Sequence, residues 1–306
     1  MHGGGQSVYL GPHRGAAIVE ARVDTIGAGV GTFSRRQLGA ISLGMGFAAA
    51  AGPVAASAIA TDTTGIDTGM VEVPTADGRM PAYRARPKGV AHPPVILVVQ
   101  EIFGVHEWIR DVCRRFAKEG WYAIAGAHYW RRGDPANYTD IQKLMSEVVS
   151  KVSDNEVLSD LDAEVKFAAG DHANSKKLSI TGFCWGGRIV WMYAAHNPAL
   201  TAGVAWYGRL AGNPTPLQPL YPVDLAAKIN APILGLYGAK DTGIPQNTIE
   251  QMRAALTAAG NTQSQIEVFE NSGHGFFADY RDSYNEADAR TAWLHALTWL
   301  KTHDAR

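Results

Sequence analysis

The stretch that decides the fold is "KLSITGFCWGGRIVWMY", from Lys177 to Tyr193. It begins as a strand-like run, passes through glycine-flanked residues from Gly182 to Gly186, and continues as a helix-like run. A strand, a sharp turn and a helix are the context in which a nucleophile elbow is expected. Serine usually occupies the centre of that turn, but here the residue is Cys184. The pattern predicts an α/β fold with a reactive side chain above the carboxyl edge of the sheet.

The glycines of this turn have a physical reason. The bend strains its central residue, and side chains at the flanks would collide with the neighbouring strand or helix. The same bend places the backbone N–H of Trp185 at a helix N-terminus, where it can stabilise an oxyanion. A helix N-terminus also favours the thiolate form of Cys184, which is the nucleophilic form. The alternative is a small buried cysteine without chemistry.

Two further residues follow in the order expected of this fold, nucleophile, acid and histidine. Asp241, in "LYGAKDTGIP", comes directly after a predicted strand, although alone it would fit a turn or helix cap. His274, in "ENSGHGFF", lies in a glycine-flanked loop after the last predicted strand. In a triad, Asp241 would fix the imidazole tautomer, His274 would move the proton, and Cys184 would attack a carbonyl carbon.

From Met70 onward, strand-like and helix-like segments alternate, which predicts a mostly parallel sheet covered by helices on both faces, without a large cap domain. The first two extended runs flank an Asp-Gly turn and predict an antiparallel hairpin. Cys113 falls on the apolar face of a helix predicted within residues 107–119, so we expect it to be buried. One domain spanning residues 65–303 accounts for the pattern.

Composition narrows the class of partner. The 306 residues are 46% hydrophobic and 19% charged, with a formal net charge of −1. No basic field attracts nucleic acid, so a small molecule is the expected partner. Two cysteines cannot form a disulfide framework, and no Cys/His cluster has the spacing of a zinc site. We expect neither a metal nor another cofactor.

Residues 1–60 form an N-terminal extension that includes a targeting signal. Arg35 and Arg36 precede a weakly apolar Gly/Ala-rich stretch, which resembles a twin-arginine export signal. Small residues would allow cleavage after Ala58 or Ala60, giving an exported, periplasmic protein that meets the membrane only during export. The alternative is an uncleaved membrane anchor, because the uncharged run is long enough to span a bilayer.

Four motifs, "QEIFGV", "GFCWGG", "GAKD" and "SGHGFF", together resemble the dienelactone hydrolase (carboxymethylenebutenolidase) family of α/β-hydrolases. The resemblance covers the chain from about Met70 to its end. It implies that Glu101 contacts the resting thiol and takes its proton when substrate arrives. It also implies that the backbone N–H of Ile102 completes the oxyanion hole with that of Trp185.

The resemblance is weaker at the substrate-binding residues. The family's Tyr-x-Arg segment corresponds to Tyr129 and Arg131, which would bind a substrate carboxylate. Ala278 stands where a second arginine is expected, and Arg281 either replaces that arginine or forms a surface salt bridge. Phe276 is a candidate pocket wall, as are Trp130, Trp185 and Phe277, with the hydrophobic core as the alternative for all four. The substrate is then larger or less acidic than a dienelactone.

These features lead to one main hypothesis, a hydrolase that cleaves a lactone or carboxylic ester through Cys184 and an acyl-enzyme. A thiol-based redox protein is a second hypothesis, because an exposed, acidic thiol oxidises readily. It lacks a resolving partner, since Cys113 is predicted on a buried helix face. A non-catalytic binding protein on the same scaffold is a third hypothesis, which the complete set of triad residues argues against.

Overall fold

The computed structural model describes residues 59–304. The predicted export signal, with Arg35 and Arg36, and its alternative as a membrane anchor lie almost entirely outside the described residues. Within residues 59–304, no helix has both the length and the apolar character needed to cross a membrane.

One eight-stranded sheet forms the centre of the described structure. Its strands are β1 (Ile66–Pro74), β2 (Arg79–Pro87), β3 (Pro94–Val99), β4 (Tyr122–Gly126), β5 (Asn174–Phe183), β6 (Ala202–Trp206), β7 (Ile233–Gly238) and β8 (Gln265–Phe269). Their spatial order is β1-β2-β4-β3-β5-β6-β7-β8. β2 pairs antiparallel with β1 and β4, and every other pairing is parallel. The predicted fold class, an α/β-hydrolase with a mostly parallel sheet, is confirmed.

Six α-helices connect or follow these strands in residues 59–304. They are α1 (Glu107–Lys118), α2 (Ile141–Glu147), α3 (Asp154–Gly170), α4 (Trp185–His196), α5 (Gln246–Ala258) and α6 (Glu286–Asp304). Ser153 begins α3 with a capping box. Its side chain accepts from the N–H of Glu156, and the Glu156 carboxylate accepts from the N–H of Ser153, at 3.2 and 3.0 Å. Between β6 and β7 lies a short 3-10 helix, Pro222–Lys228.

The hydrophobic core includes the central strand β3 and the helix α1. β3 is buried from Val95 to Val99, as expected for a central strand covered on both faces. Cys113 on α1 is completely buried, which confirms its predicted place in the core. Burial also raises the pKa of the Cys113 thiol, so this cysteine is held in its unreactive, protonated form.

The parallel strands bring the predicted site residues to one edge of the sheet. Glu101 comes two residues after β3, Cys184 follows β5 directly, and Asp241 lies in the loop after β7. His274 lies in the loop after β8. Because parallel strands end at the same side of a sheet, these residues gather at its carboxyl edge.

Candidate active site

Cys184 occupies a strained backbone position between β5 and α4. Its φ and ψ are 58° and −112°, a region that residues with side chains rarely adopt. A Cβ on Gly182 would lie 2.6 Å from the backbone carbon of Gly186, and a Cβ on Gly186 would lie 2.6 Å from the backbone oxygen of Gln100. The glycines on both sides therefore allow the tight turn that presents the cysteine.

Two sets of contacts fix this turn. The N–H of Cys184 donates to the carbonyl oxygen of Trp206 at 3.0 Å, which joins the turn to the end of β6. In the first turn of α4, Arg188 donates to both oxygens of Asp154 at 2.6 and 2.8 Å, and to the carbonyl of Leu220 at 2.7 Å. Because this ion pair is buried and bidentate, it holds the start of α4 in one orientation.

Asp241 and His274 form a buried pair at the same edge. His274 Nδ1 lies 2.7 Å from Oδ2 of Asp241, so the ring donates through Nδ1 and directs Nε2 away from the carboxylate. The other carboxylate oxygen accepts from the N–H groups of Gly243 and Ile244 at 2.8 and 3.2 Å. The loop thus holds the acid, and the acid orients the imidazole.

The loops that carry these two residues are joined by the backbone. The N–H of Lys240 donates to the carbonyl of Ser272 at 2.9 Å, and the Ser272 hydroxyl donates to Asp288 of α6 at 2.6 Å. Gly275 has a φ of 75°, which allows the loop to turn immediately after His274. These contacts keep the histidine over the sheet edge.

The electrostatics of His274 link it to Cys184. Burial lowers the pKa of the imidazole, but the charges of Cys184 and Asp241, together with hydrogen bonds to both side chains, outweigh burial and raise that pKa to about 10. Only 1% of Cys184 and 5% of His274 is exposed to solvent. The imidazole is therefore expected to stay protonated across neutral pH, opposite the cysteine sulfur.

Trp185 and Ile102, the two residues predicted to form the oxyanion hole, lie in the segments that follow β5 and β3. Trp185 is the first residue of α4, so its backbone N–H has no acceptor within that helix. Ile102 lies in a tight turn closed by the N–H of Gly104, which donates to the carbonyl of Glu101 at 3.3 Å. The turn after β3 and the start of α4 are in contact at the elbow glycines, which brings the two segments together.

Glu101 has partners that the sequence did not reveal. Its side chain is completely buried; it accepts from Arg281 Nη2 at 2.9 Å and from the hydroxyl of Tyr280. His106 Nε2 lies 3.3 Å from the same carboxylate. The expectation that Glu101 contacts the resting thiol is not met: its hydrogen-bond partners among the described residues are Arg281, Tyr280 and His106, while the Cys184 side chain interacts with His274.

The charge of Glu101 is stabilised despite its burial. Burial raises the pKa of the carboxyl, but the Arg281 guanidinium and a hydrogen bond with His106 outweigh it and lower the pKa to about 2. Arg281 is only 7% exposed, and Glu101 in turn raises the pKa of its guanidinium against the effect of burial. The alternative of a surface salt bridge for Arg281 is therefore wrong: the pair is internal.

Arg131 is engaged elsewhere, in contrast to its predicted contact with a substrate carboxylate. Its Nε and Nη2 donate to Asp77 at 2.7 Å each, while its Nη1 and Nη2 donate to Asp160 at 2.7 and 2.9 Å. The guanidinium also stacks over Trp130, 4.5 Å from the ring centroid. Two carboxylates thus occupy its hydrogen-bonding edges, and the structure corrects the prediction to a structural role.

The remaining predicted pocket residues differ in environment. Tyr129 is buried and packs against Trp185, with ring centroids 5.0 Å apart. Phe276 is completely buried and packs against the rings of Phe269 and Tyr207, 5.1 and 5.7 Å away. Phe276 therefore fits the core alternative rather than the pocket wall.

Several residues at the site were missed. Tyr207 follows β6, and its ring centroid lies 5.2 Å from that of His274. Its position directly after a central parallel strand could have indicated a site residue, because sites of open α/β sheets gather at the carboxyl ends of the strands. Tyr280 meets Glu101 only through long-range folding, whereas His106 lies five residues after Glu101, and no sequence pattern marks either contact. In the described part of the chain, no group of three or more His, Cys, Asp or Glu residues is arranged to hold a metal ion.

Comparison with known proteins agrees with this architecture. The model of the dienelactone hydrolase family matches residues 80–304. The chain belongs to this family. As a member it is an enzyme that acts on lactone or ester bonds.

Individual relatives are similar over most of the chain. A "Putative carboxymethylenebutenolidase" of Methylorubrum extorquens is 54% identical over 89% of this chain and 94% of its own length. A protein of the same name from Escherichia coli is 51% identical over 85% of this chain and 96% of its own. The crystal structure of a "Putative Dienelactone Hydrolase" from Klebsiella pneumoniae has 53% identity and a TM-score of 0.76, and covers 77% of this chain and 98% of that one.

Proposed function

We propose that this family member hydrolyses a lactone or carboxylic ester with Cys184 as nucleophile, His274 as proton carrier and Asp241 as the residue that orients the histidine. The observation that carries the proposal is the buried chain of interactions from Asp241 through His274 to Cys184. The names of the relatives, which refer to a butenolide, support a lactone as substrate.

The first half of the reaction forms an acyl-enzyme. Cys184 attacks the carbonyl carbon as a thiolate, and the carbonyl oxygen becomes an oxyanion near the N–H groups of Trp185 and Ile102. When the tetrahedral intermediate collapses, the C–O bond of the ester or lactone breaks. His274 gives its proton to the departing oxygen, which leaves as a hydroxyl group, and Cys184 carries a thioester.

The second half releases the acid. His274, now neutral, takes a proton from water as the water oxygen attacks the thioester carbon. The C–S bond breaks and returns the thiolate opposite a protonated His274. Asp241 keeps the imidazole in the tautomer that serves both steps and stabilises its charged form.

In this mechanism Glu101 acts as the counter-ion of Arg281 rather than as the base for the thiol. A carboxylate with a pKa of about 2 is a weak proton acceptor, whereas His274 already holds a proton at neutral pH. The Glu101–Arg281 pair instead joins the turn containing Ile102 to the loop after His274. It thereby fixes the spacing between the oxyanion hole and the histidine.

The test is hydrolysis of p-nitrophenyl butyrate and of a simple lactone by residues 59–306. We expect Cys184→Ala and His274→Ala to lose about a thousandfold or more in kcat/KM, and Asp241→Asn to lose somewhat less, as in other triads. Cys113→Ala is the matched control, because its thiol is buried on α1 and lies outside the triad.

A covalent intermediate gives an independent readout. Mass spectrometry of rapidly quenched enzyme should find the acyl group on the peptide that contains Cys184. Rates of Cys184→Ala close to those of the unmodified protein, or an acyl group on another residue, would refute the mechanism.

We also propose that the protein is exported to the periplasm through the twin-arginine-type signal and cleaved near Ala58 or Ala60. The first described residues pack on the domain: the N–H of Ile59 donates to Asp279 at 3.3 Å, and that of Thr61 to Asp111 at 2.6 Å. Cell fractionation with Arg35→Lys and Arg36→Lys combined is the test. Retention of the double variant in the cytoplasm is expected, and unchanged periplasmic recovery would contradict the proposal.

A further inference from the structure

Four buried side chains at the site have polar atoms with no close hydrogen-bond partner among the described residues, although the Tyr129 hydroxyl and Gln100 lie near enough to interact with each other. They are Gln100, Tyr129, Trp185 and Tyr207. Each is more than nine-tenths buried. Because an unpaired buried polar group is unfavourable, a cluster of them beside a nucleophile requires an explanation. A molecule that enters the site and pairs with them provides one.

The positions of these residues place them around the cysteine. Gln100 precedes Glu101, and its backbone oxygen touches the elbow at Gly186. The ring of Tyr129 packs on Trp185, the residue after Cys184. The ring of Tyr207 lies against His274. The four residues therefore follow β3, β4, β5 and β6 at the sheet edge that carries the cysteine.

Both tyrosines are neutral donors. Burial raises the pKa of Tyr129 and of Tyr207 well above the usual value, and the charges of Cys184 and Glu101 raise both further. Each hydroxyl can thus donate a hydrogen bond to an oxygen of a bound molecule.

The backbone of Tyr207 is strained in a way that fits a functional position. Its φ is 37°, which is unusual for a residue with a large side chain. The N–H of Tyr207 donates to the carbonyl of Leu236 at 2.8 Å, which anchors the strained residue to the neighbouring strand. Such strain is commonly kept where a side chain must point into a site.

The charges at the site disfavour a substrate that carries its own carboxylate. Arg281 is paired with Glu101, and Arg131 is paired with both Asp77 and Asp160. An incoming carboxylate would lie near Glu101 and the cysteine sulfur, and it would have to compete with the protein's own carboxylates for either arginine. An uncharged oxygen meets neither obstacle.

We propose that Gln100, Tyr129 and Tyr207 form a neutral polar subsite beside Cys184 that binds an uncharged oxygen of the substrate's acyl group, such as an ether, hydroxyl or ketone oxygen. The preferred substrate is accordingly an uncharged lactone or ester rather than one that bears a carboxylate. This inference rests on the proposed hydrolase function and specifies its substrate class.

The test compares three p-nitrophenyl esters of similar length. The butyrate has an apolar acyl chain, the methoxyacetate replaces one methylene with an ether oxygen, and the hemisuccinate adds a carboxylate. Each kcat/KM is divided by the rate constant for spontaneous hydrolysis of the same ester at the assay pH, which also accounts for attack of the hemisuccinate carboxylate on its own ester. We expect the methoxyacetate to exceed the butyrate by about tenfold, as one or two hydrogen bonds would give, and the hemisuccinate to be the poorest.

Variants identify the residues responsible. Tyr207→Phe, Tyr129→Phe and Gln100→Met each remove polar atoms with little change in volume, and each should lower the methoxyacetate-to-butyrate ratio about threefold or more. Tyr83→Phe is the control. Tyr83 lies on β2, and its hydroxyl accepts from Arg114 at 3.4 Å. Its ratio should equal that of the unmodified protein.

The outcomes separate this inference from the proposed function. Loss of butyrate hydrolysis in Cys184→Ala tests the nucleophile alone. If that loss occurs but the hemisuccinate is the best substrate, or if all three variants keep the original ratio, the neutral subsite is refuted while the hydrolase stands. The comparison of esters in the unmodified protein decides the charge preference even if a variant fails to fold.

Discussion

Replacing Glu101 with glutamine tests whether the buried ion pair stabilises the site through charge. The carboxylate is completely buried and accepts from Arg281 at 2.9 Å. Its pKa falls from 4.5 to about 2 in the folded protein, which corresponds to about 3 kcal/mol of stability at neutral pH. Removing one partner of a buried pair is expected to cost a similar amount, about 3–5 kcal/mol. We therefore expect Glu101→Gln to lower the free energy of unfolding by about 3 kcal/mol at pH 7.

The sign of the pH dependence follows from the lowered pKa. The stabilisation by Glu101 is fully present above the unfolded pKa of 4.5 and is lost as the pH falls through the folded pKa of about 2. At pH 3 about half of it remains, or roughly 1.5 kcal/mol. The difference between the unmodified protein and Glu101→Gln should therefore shrink as the pH is lowered from 7 to 3.

Urea unfolding followed by tryptophan fluorescence measures this difference at each pH. Glu119→Gln is the matched control, because Glu119 forms an exposed pair with Lys301 at 2.6 Å and should contribute less than about 1 kcal/mol. A difference for Glu101→Gln below about 1 kcal/mol at pH 7, or one that is equal at pH 7 and pH 3, would refute the assignment of Glu101 as the buried counter-ion.

Two further predictions concern the elbow and the histidine. Gly186→Ala would place a Cβ 2.6 Å from the backbone oxygen of Gln100. We therefore expect it to lower the free energy of unfolding by about 2 kcal/mol or more and to abolish most activity. Gly69→Ala, which has open space around the new Cβ, is the control in thermal unfolding. Because the pKa of His274 is about 10, kcat/KM should be level from neutral pH and fall above about pH 10 as the imidazolium loses its proton. A fall centred near pH 6.5, the ordinary value for histidine, would contradict the ion pair with Cys184.

The fold could be predicted largely because its signals are local. Each signal determines the structure of only the few residues around it. Examples are the apolar run of β3, the capping residue Ser153 and the glycine-flanked Cys184, and the structure has a strand or the start of a helix at each. The start of β1 at Ile66, four residues before the predicted Met70, was not visible, because an exposed edge strand lacks a regular apolar pattern. Pairing with β2 defines that strand instead.

The residues of the proposed triad could be nominated from the sequence for the same reason. Each follows a strand at the carboxyl edge, so strand order and glycine placement were enough to nominate Cys184, Asp241 and His274. The charge partners were not accessible. Glu101 and Arg281 are 180 residues apart, and Arg131 meets Asp160 across 29 residues and Asp77 across 54. The sequence around an arginine does not indicate which carboxylate will pair with it in the folded chain.

This difference bears on how substrate charge is inferred for such a protein. An arginine at a family position indicates a site for an anion only if the fold leaves its guanidinium available. Here Arg131 forms ion pairs with Asp77 and Asp160. Arg281 forms an ion pair with Glu101, which is distant from it in sequence. The hydroxyls of Tyr129 and Tyr207 belong to the buried polar groups of the site that have no close hydrogen-bond partner among the described residues. The selectivity of the site is therefore expected to follow its unpaired neutral donors rather than its arginines.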